Sequence, residues 1–124
     1  MENFPFKIET YKILGLCMEV HNNLGHGFLE IVYKDALEIE FKRNQIPFER
    51  EKEYPVNYKG IQLPHRFFAD FIVYEKIILE VKGVNGIHDE HVAQAINYLK
   101  VSKNQVALIV NFGEPKLTFK RIKL

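Results

Sequence analysis

The chain lacks a second cysteine: Cys17 stands alone, so no internal disulfide framework can form, and a reducing compartment is expected. It lacks any apolar run near the ~20 residues a membrane span requires. Its first residues, "MENFPFKIET", have neither the basic start nor the apolar stretch of a secretory signal. It also lacks an excess of either charge, with 17 Lys and Arg against 16 Asp and Glu and a net charge of +1. That excludes a surface coated in basic charge for nonspecific nucleic-acid binding, though not a local basic groove. There are no repeats, low-complexity tracts or linkers. What is present is a 124-residue chain, 47% hydrophobic with 7 Gly and 5 Pro, which reads as one globular domain, soluble and cytoplasmic.

Apolar periodicity predicts a helix from about Lys7 to Leu24, with Ile13, Cys17, Val20 and Leu24 in one stripe and Leu16 beside it. "NNLGHG" (Asn22 to Gly27) breaks it, as Asn and Gly do where a chain turns through positive φ. A second helix is predicted from about Leu29 to Lys42, with Leu29, Val32, Ala36 and Ile39 inward, ended near Asn44 and Pro47. Strands follow at Glu53 to Gly60, His65 to Tyr74 and Lys76 to Val84. Gly86 to Lys103 is helical, with Val92, Ala95, Ile96 and Leu99 on its apolar side; strands at Gln105 to Gly113 and Lys116 to Leu124 close the chain. The order α-α-β-β-β-α-β-β predicts an α/β fold with a mixed central sheet flanked by helices. The crossover helix makes the third and fourth strands parallel.

Charges stand where none belong. "FFADFIV" (Phe67 to Val73) is apolar on both faces except for Asp70, and "IILEVKGV" (Ile77 to Val84) carries Glu80 and Lys82. A charge in such a strand costs several kcal/mol unless it is paired or metal-bound. Alternation places Glu80 and Lys82 on the face of Ile78. Asp70 joins them only if the hairpin loop has odd length, as Tyr74-Glu75-Lys76 does, or carries a bulge; a two-residue loop pairs Asp70 with Val81 and turns it away. With the odd loop, two carboxylates and an amine converge, an oxygen-rich environment for a hard divalent cation such as Mg²⁺. Lys82 could then orient a water or help to deprotonate it. The plainer alternative is an ion pair between Glu80 and Lys82, with Asp70 facing solvent.

Asp70 followed by Glu80-Val81-Lys82 resembles the signature of the PD-(D/E)xK nuclease superfamily. "QAINY" adds Gln94-x-x-x-Tyr98, similar to a motif of its recombination-nuclease branch, and "GFLEIVY" adds Gly27-x-x-Glu30-x-x-Tyr33, the motif that names the GxxExxY proteins. The resemblance runs from about residue 10 to 122. It implies a nuclease-like core in which Asp70, Glu80 and the Val81 carbonyl hold Mg²⁺ or Mn²⁺. Lys82 would be the catalytic lysine and Glu30 a further acidic residue of the site. Gln94 and Tyr98 would support the site or touch substrate. The proline of the superfamily name is replaced by Ala69.

Tyr33 and Glu30 are neighbours on one helix face, as are Tyr98 and Gln94, with His91 a turn earlier. Either tyrosine can equally be a core residue with its hydroxyl on a partner. Glu30 can be an ordinary solvated helix residue. His91 could touch phosphate or water at a cleft rim; His88 and His91 lack the further ligands of a zinc site. "KLTFKRIKL" reads as a charge-guarded edge strand or as a phosphate-contact surface.

The expectation is a Mg²⁺- or Mn²⁺-dependent nuclease acting on nucleic acid, DNA rather than RNA, with a homodimer needed to cut both strands of a duplex. The alternative is a nuclease fold kept as a nucleic-acid-binding or protein-assembly module with little or no catalysis.

Overall fold

The computed structural model describes residues 4–124. Three helices and five strands follow in the expected order: α1 Lys7–Leu24, α2 Glu30–Arg43, β1 Phe48–Tyr58, β2 Ile61–Val73, β3 Ile77–Lys82, α3 Asp89–Ser102, β4 Val106–Asn111 and β5 Thr118–Lys123. The strands form one mixed sheet in the order β1-β2-β3-β4-β5. Only β3 and β4, joined through α3, are parallel. Among the described residues no helix is long and apolar enough to cross a membrane.

The sheet separates two cores. On one side Phe71, Val73, Leu79, Val81, Val110 and Phe112 pack with α1 and α2. On the other, Ala69, Ile72, Ile78 and Ile109 pack against Ala95, Tyr98 and Leu99 of α3. Both faces of β3 and β4 are thus covered, which is why these strands read as continuous apolar runs. β4 is buried at all six positions.

Two expectations need correction. The inward face of α2 is Tyr33, Lys34, Leu37 and Phe41, whereas Leu29 and Ile39 are 76% and 53% exposed. Aromatic volume decided the rotation: Tyr33 stacks on Phe112 and Phe41 packs edge-on to Phe71. The first two strands are also longer than expected, starting at Phe48 and Ile61. The outer half of β2 is paired with β1 alone and leaves Phe68 exposed, so only the inner half is covered on both faces.

The β3–β4 end is fastened by side chains. Asn111 continues the ladder past Lys82: its Oδ1 accepts the Val84 N–H at 3.0 Å and its Nδ2 donates to the Val84 carbonyl at 3.0 Å. Gly113 passes so close that a Cβ there would lie 2.3 Å from the Val84 nitrogen. Backbone cannot yield as a flexible side-chain end would. Gly113→Ala is therefore expected to cost at least about 1–3 kcal/mol, the usual penalty of overpacking. Urea unfolding measures it, and an unchanged midpoint would contradict the close approach.

Candidate active site

The β2–β3 hairpin decides whether the charged residues meet. Val73 pairs with Ile77, Ile72 with Ile78 and Phe71 with Leu79, which leaves Tyr74, Glu75 and Lys76 as a three-residue loop. The loop is odd, and Asp70 falls opposite Glu80. Tyr74 and Glu75 reach this turn at φ 57° and 59° without a glycine. The Tyr74 N–H donating to the Pro47 carbonyl (2.8 Å) and the Lys76 N–H donating to that of Val73 (3.1 Å) hold it.

At Asp70 the ladder gives way. The Asp70 N–H donates to Glu80 Oε2 at 2.9 Å, and the Val81 N–H donates to Asp70 Oδ2 at 2.7 Å. Each carboxylate thereby satisfies a backbone donor of the opposite strand. Alternation also breaks here, since Ala69 and Phe71 would share a face in a regular strand but lie in different cores. On the neighbouring strand Arg50 pairs with Phe71 and Lys52 with Ala69, so Glu51 faces Asp70 across β1 and β2. Glu51 itself has φ 55°.

The ammonium that reaches Asp70 is that of Lys34, not Lys82. Lys34 Nζ lies 2.9 Å from Asp70 Oδ1 and also pairs with Glu51. Burial pulls the Lys34 pKa down, but its hydrogen bonds to Glu51 and Asp70 more than offset this and the net shift is upward. Lys82, on the α3 side of β3, has Gln94 Oε1 at 3.5 Å. The site therefore spans the sheet, with Lys34 reaching in from α2 and Gln94 meeting Lys82 from α3.

Glu30 lies at the first turn of α2, its Oε2 accepting the Gly83 N–H at 2.9 Å just beyond Lys82. Tyr33 is fully buried; its hydroxyl donates to the Gly25 carbonyl at 2.7 Å and lies 3.2 Å from the Phe28 N–H, closing the turn that leads into Glu30. Gly27 passes through this turn at φ 109°. The Tyr98 hydroxyl donates to the Phe68 carbonyl at 3.0 Å, and its ring lies edge-on to Phe67. Burial, with the charges of Glu80, Asp70 and Glu51, raises its pKa. His91 Nδ1 accepts the His88 N–H at 3.0 Å and caps α3. Among the described residues no three His, Cys, Asp or Glu side chains converge as a ready-made metal cage.

The donor chemistry still fits a hard divalent cation. Glu80 is 4% exposed and shares its surroundings with Asp70. Burial first, and the Asp70 charge second, push the Glu80 carboxyl up to about 8, against the opposing pull of the Asp70 N–H, Lys82 and Lys34. Asp70 and Glu80 bring carboxylate oxygens together at one point of the β2–β3 pair, the hard donors that a divalent cation takes.

The sequence profile of the PD-(D/E)XK nuclease superfamily matches residues 7–122, and the chain belongs to that superfamily. Among solved structures, the crystal structure of SSO0001 is similar in fold, with a TM-score of 0.59 and 22% identity over 74% of this chain. The matched part is 48% of that protein, so this chain spans about half its length. No curated protein matches the chain.

Sequence reasoning singled out Asp70, Glu80, Lys82 and Gln94 and missed Lys34 and Glu51. Lys34 follows Glu30 by one helical turn, a spacing that places both on one face. Glu80 also makes stability depend on pH in chelator. The folded chain holds the Glu80 proton further up the pH scale than the unfolded chain does. Its contribution is therefore intact below about 4.5 and is lost as pH rises to about 8. Unfolding free energy should fall across that window, and Glu80→Gln should flatten the fall; an equal slope in both proteins would contradict the assignment.

Proposed function

We propose that the chain is a divalent-metal-dependent nuclease that hydrolyses phosphodiester bonds of nucleic acid, DNA rather than RNA. The observation that carries this reading is the reciprocal bonding of Asp70 and Glu80, with Lys82 two residues further along the same strand, in a chain of this superfamily. Asp70, Glu80 and the Val81 carbonyl would hold Mg²⁺ or Mn²⁺. A divalent cation there supplies Lewis-acid activation of water and neutralises charge on the phosphate.

The chain's own groups do the rest. Lys82 presents an ammonium whose N–H groups can bind a phosphoryl oxygen and stabilise the charge that develops on it. Gln94 orients that ammonium from α3. Glu30, through Gly83, and Asn111, through Val84, fix the backbone beyond Lys82 so that its position is set by the fold. The Gly27, Glu30 and Tyr33 motif supports placement among the GxxExxY proteins: Gly27 and Tyr33 shape the turn that delivers Glu30 to the end of β3. One such centre per chain cuts one strand, so cleavage of both strands of a duplex calls for a homodimer.

A second reading, a binding module with little catalysis, draws on the net charge of +1 and on the engagement of Asp70 by Lys34. Cleavage assays on single- and double-stranded DNA and on RNA with Mg²⁺ or Mn²⁺ separate the two. Asp70→Ala and Lys82→Ala should each lower metal-dependent cutting by about 10²–10⁴-fold, the scale of losing one charge-stabilising or proton-transferring group. Metal-dependent cutting that survives both substitutions would overturn the mechanism. Salt-sensitive binding with no cutting would favour the module.

A further inference from the structure

Lys34 has no part in the roles above, yet it contacts Asp70 directly. Its side chain is 11% exposed, and its ammonium is shared between Asp70 Oδ1 at 2.9 Å and the Glu51 carboxylate. The other Asp70 oxygen accepts the Val81 N–H at 2.7 Å. Both oxygens of Asp70 are therefore engaged, one by backbone and one by a cation the chain itself provides. A cation binding at Asp70 meets an ammonium already there, and two like charges in so confined a place repel.

We propose that Lys34 is a built-in counter-ion that competes with the divalent cation for the Asp70 carboxylate and so sets the metal affinity of the site. The inference rests on the reading of Asp70 and Glu80 as the metal-holding pair. In the metal-free protein Lys34 compensates Asp70, which would otherwise stand as an unpaired carboxylate beside Glu80. When the cation enters, Lys34 gives up Asp70 and remains on Glu51. A purely structural pair needs one acceptor. The second acceptor, 49% exposed and on a different strand, is what allows the ammonium to change partners without becoming a buried unpaired charge. The site then has two arrangements, and a ligand that favours one shifts the population towards it.

The test is Mn²⁺ and Mg²⁺ binding to the full chain by calorimetry, with no nucleic acid present. Lys34→Met removes the competitor and should tighten Mn²⁺ binding by roughly tenfold, while Lys34→Arg, which keeps the charge, should not tighten it. Lys34→Met should also be less stable than the wild type in chelator and recover more stability on adding Mn²⁺. If Asp70→Asn abolishes wild-type binding but Lys34→Met binds equally or more weakly, Lys34 merely holds Asp70 in place and the competition is overturned. If the wild-type chain binds neither ion, the metal-site reading falls and the competition with it. A measurement on the wild type alone covers the case in which Lys34→Met does not fold. The NMR signal of the Lys34 ammonium should lose its protection from solvent exchange as Mg²⁺ is added. Unchanged protection at saturation would overturn the proposal.

Discussion

Everything at the candidate site depends on two carboxyl groups, Glu80 buried and Asp70 half-buried, that replace a stretch of β-ladder. The β2–β3 pairing ends at Phe71 and Leu79. Beyond it, the N–H groups of Asp70 and Val81 would be orphaned, and a buried donor without a partner costs about 1–3 kcal/mol. Glu80 and Asp70 supply the missing acceptors crosswise. The exchange satisfies the backbone but buries Glu80 and draws a second acidic group beside it, and burial first, with the Asp70 charge second, raises the Glu80 pKa. The separation of the strands and the demand for positive charge are therefore one feature.

The surrounding elements serve that feature from both sides of the sheet. α2 is anchored by Tyr33 on Phe112 and by Phe41 on Phe71, and this rotation sends Lys34 to Asp70 and Glu30 to Gly83. Gly113 and Asn111 clamp the chain just beyond Lys82 from β4. α3 brings Gln94 to Lys82, and its Tyr98 hydroxyl ties down the Phe68 carbonyl on β2. The two lysines thus have different surroundings. Lys34 is committed to carboxylates, whereas Lys82 meets the neutral amide of Gln94.

Much of this could be read from the sequence because burial and charge contradict one another at Asp70, Glu80 and Lys82. Apolar runs on both faces mark covered strands, and the loop Tyr74-Glu75-Lys76 fixes parity, so the hairpin condition could be stated in advance. Lys34 could not be reached in that way. A lysine on a helix is ordinarily solvated, and only the true rotation of α2, set by the packing of Tyr33 on Phe112 and of Phe41 on Phe71, far along the chain, turns it inward. Ile39 misled because it is apolar but sits off the Tyr33–Leu37–Phe41 stripe, and Leu29 because it precedes the helix in extended backbone. The length of β1 was hidden by "FEREKEY", in which five of seven residues are charged and no apolar alternation marks a strand. Its residues alternate in exposure as a strand does, and Arg50 is held by Asp35 and Glu38 of α2.

The central claim is that Asp70 and Glu80 form one divalent-cation site. Crystals soaked in Mn²⁺ test it most directly, because the anomalous signal of manganese locates the ion without reference to activity. The account predicts a single strong peak within coordination distance of both the Asp70 and Glu80 carboxylates, absent in Asp70→Asn crystals. A well-occupied peak elsewhere, or none at a concentration that saturates binding in solution, would contradict it.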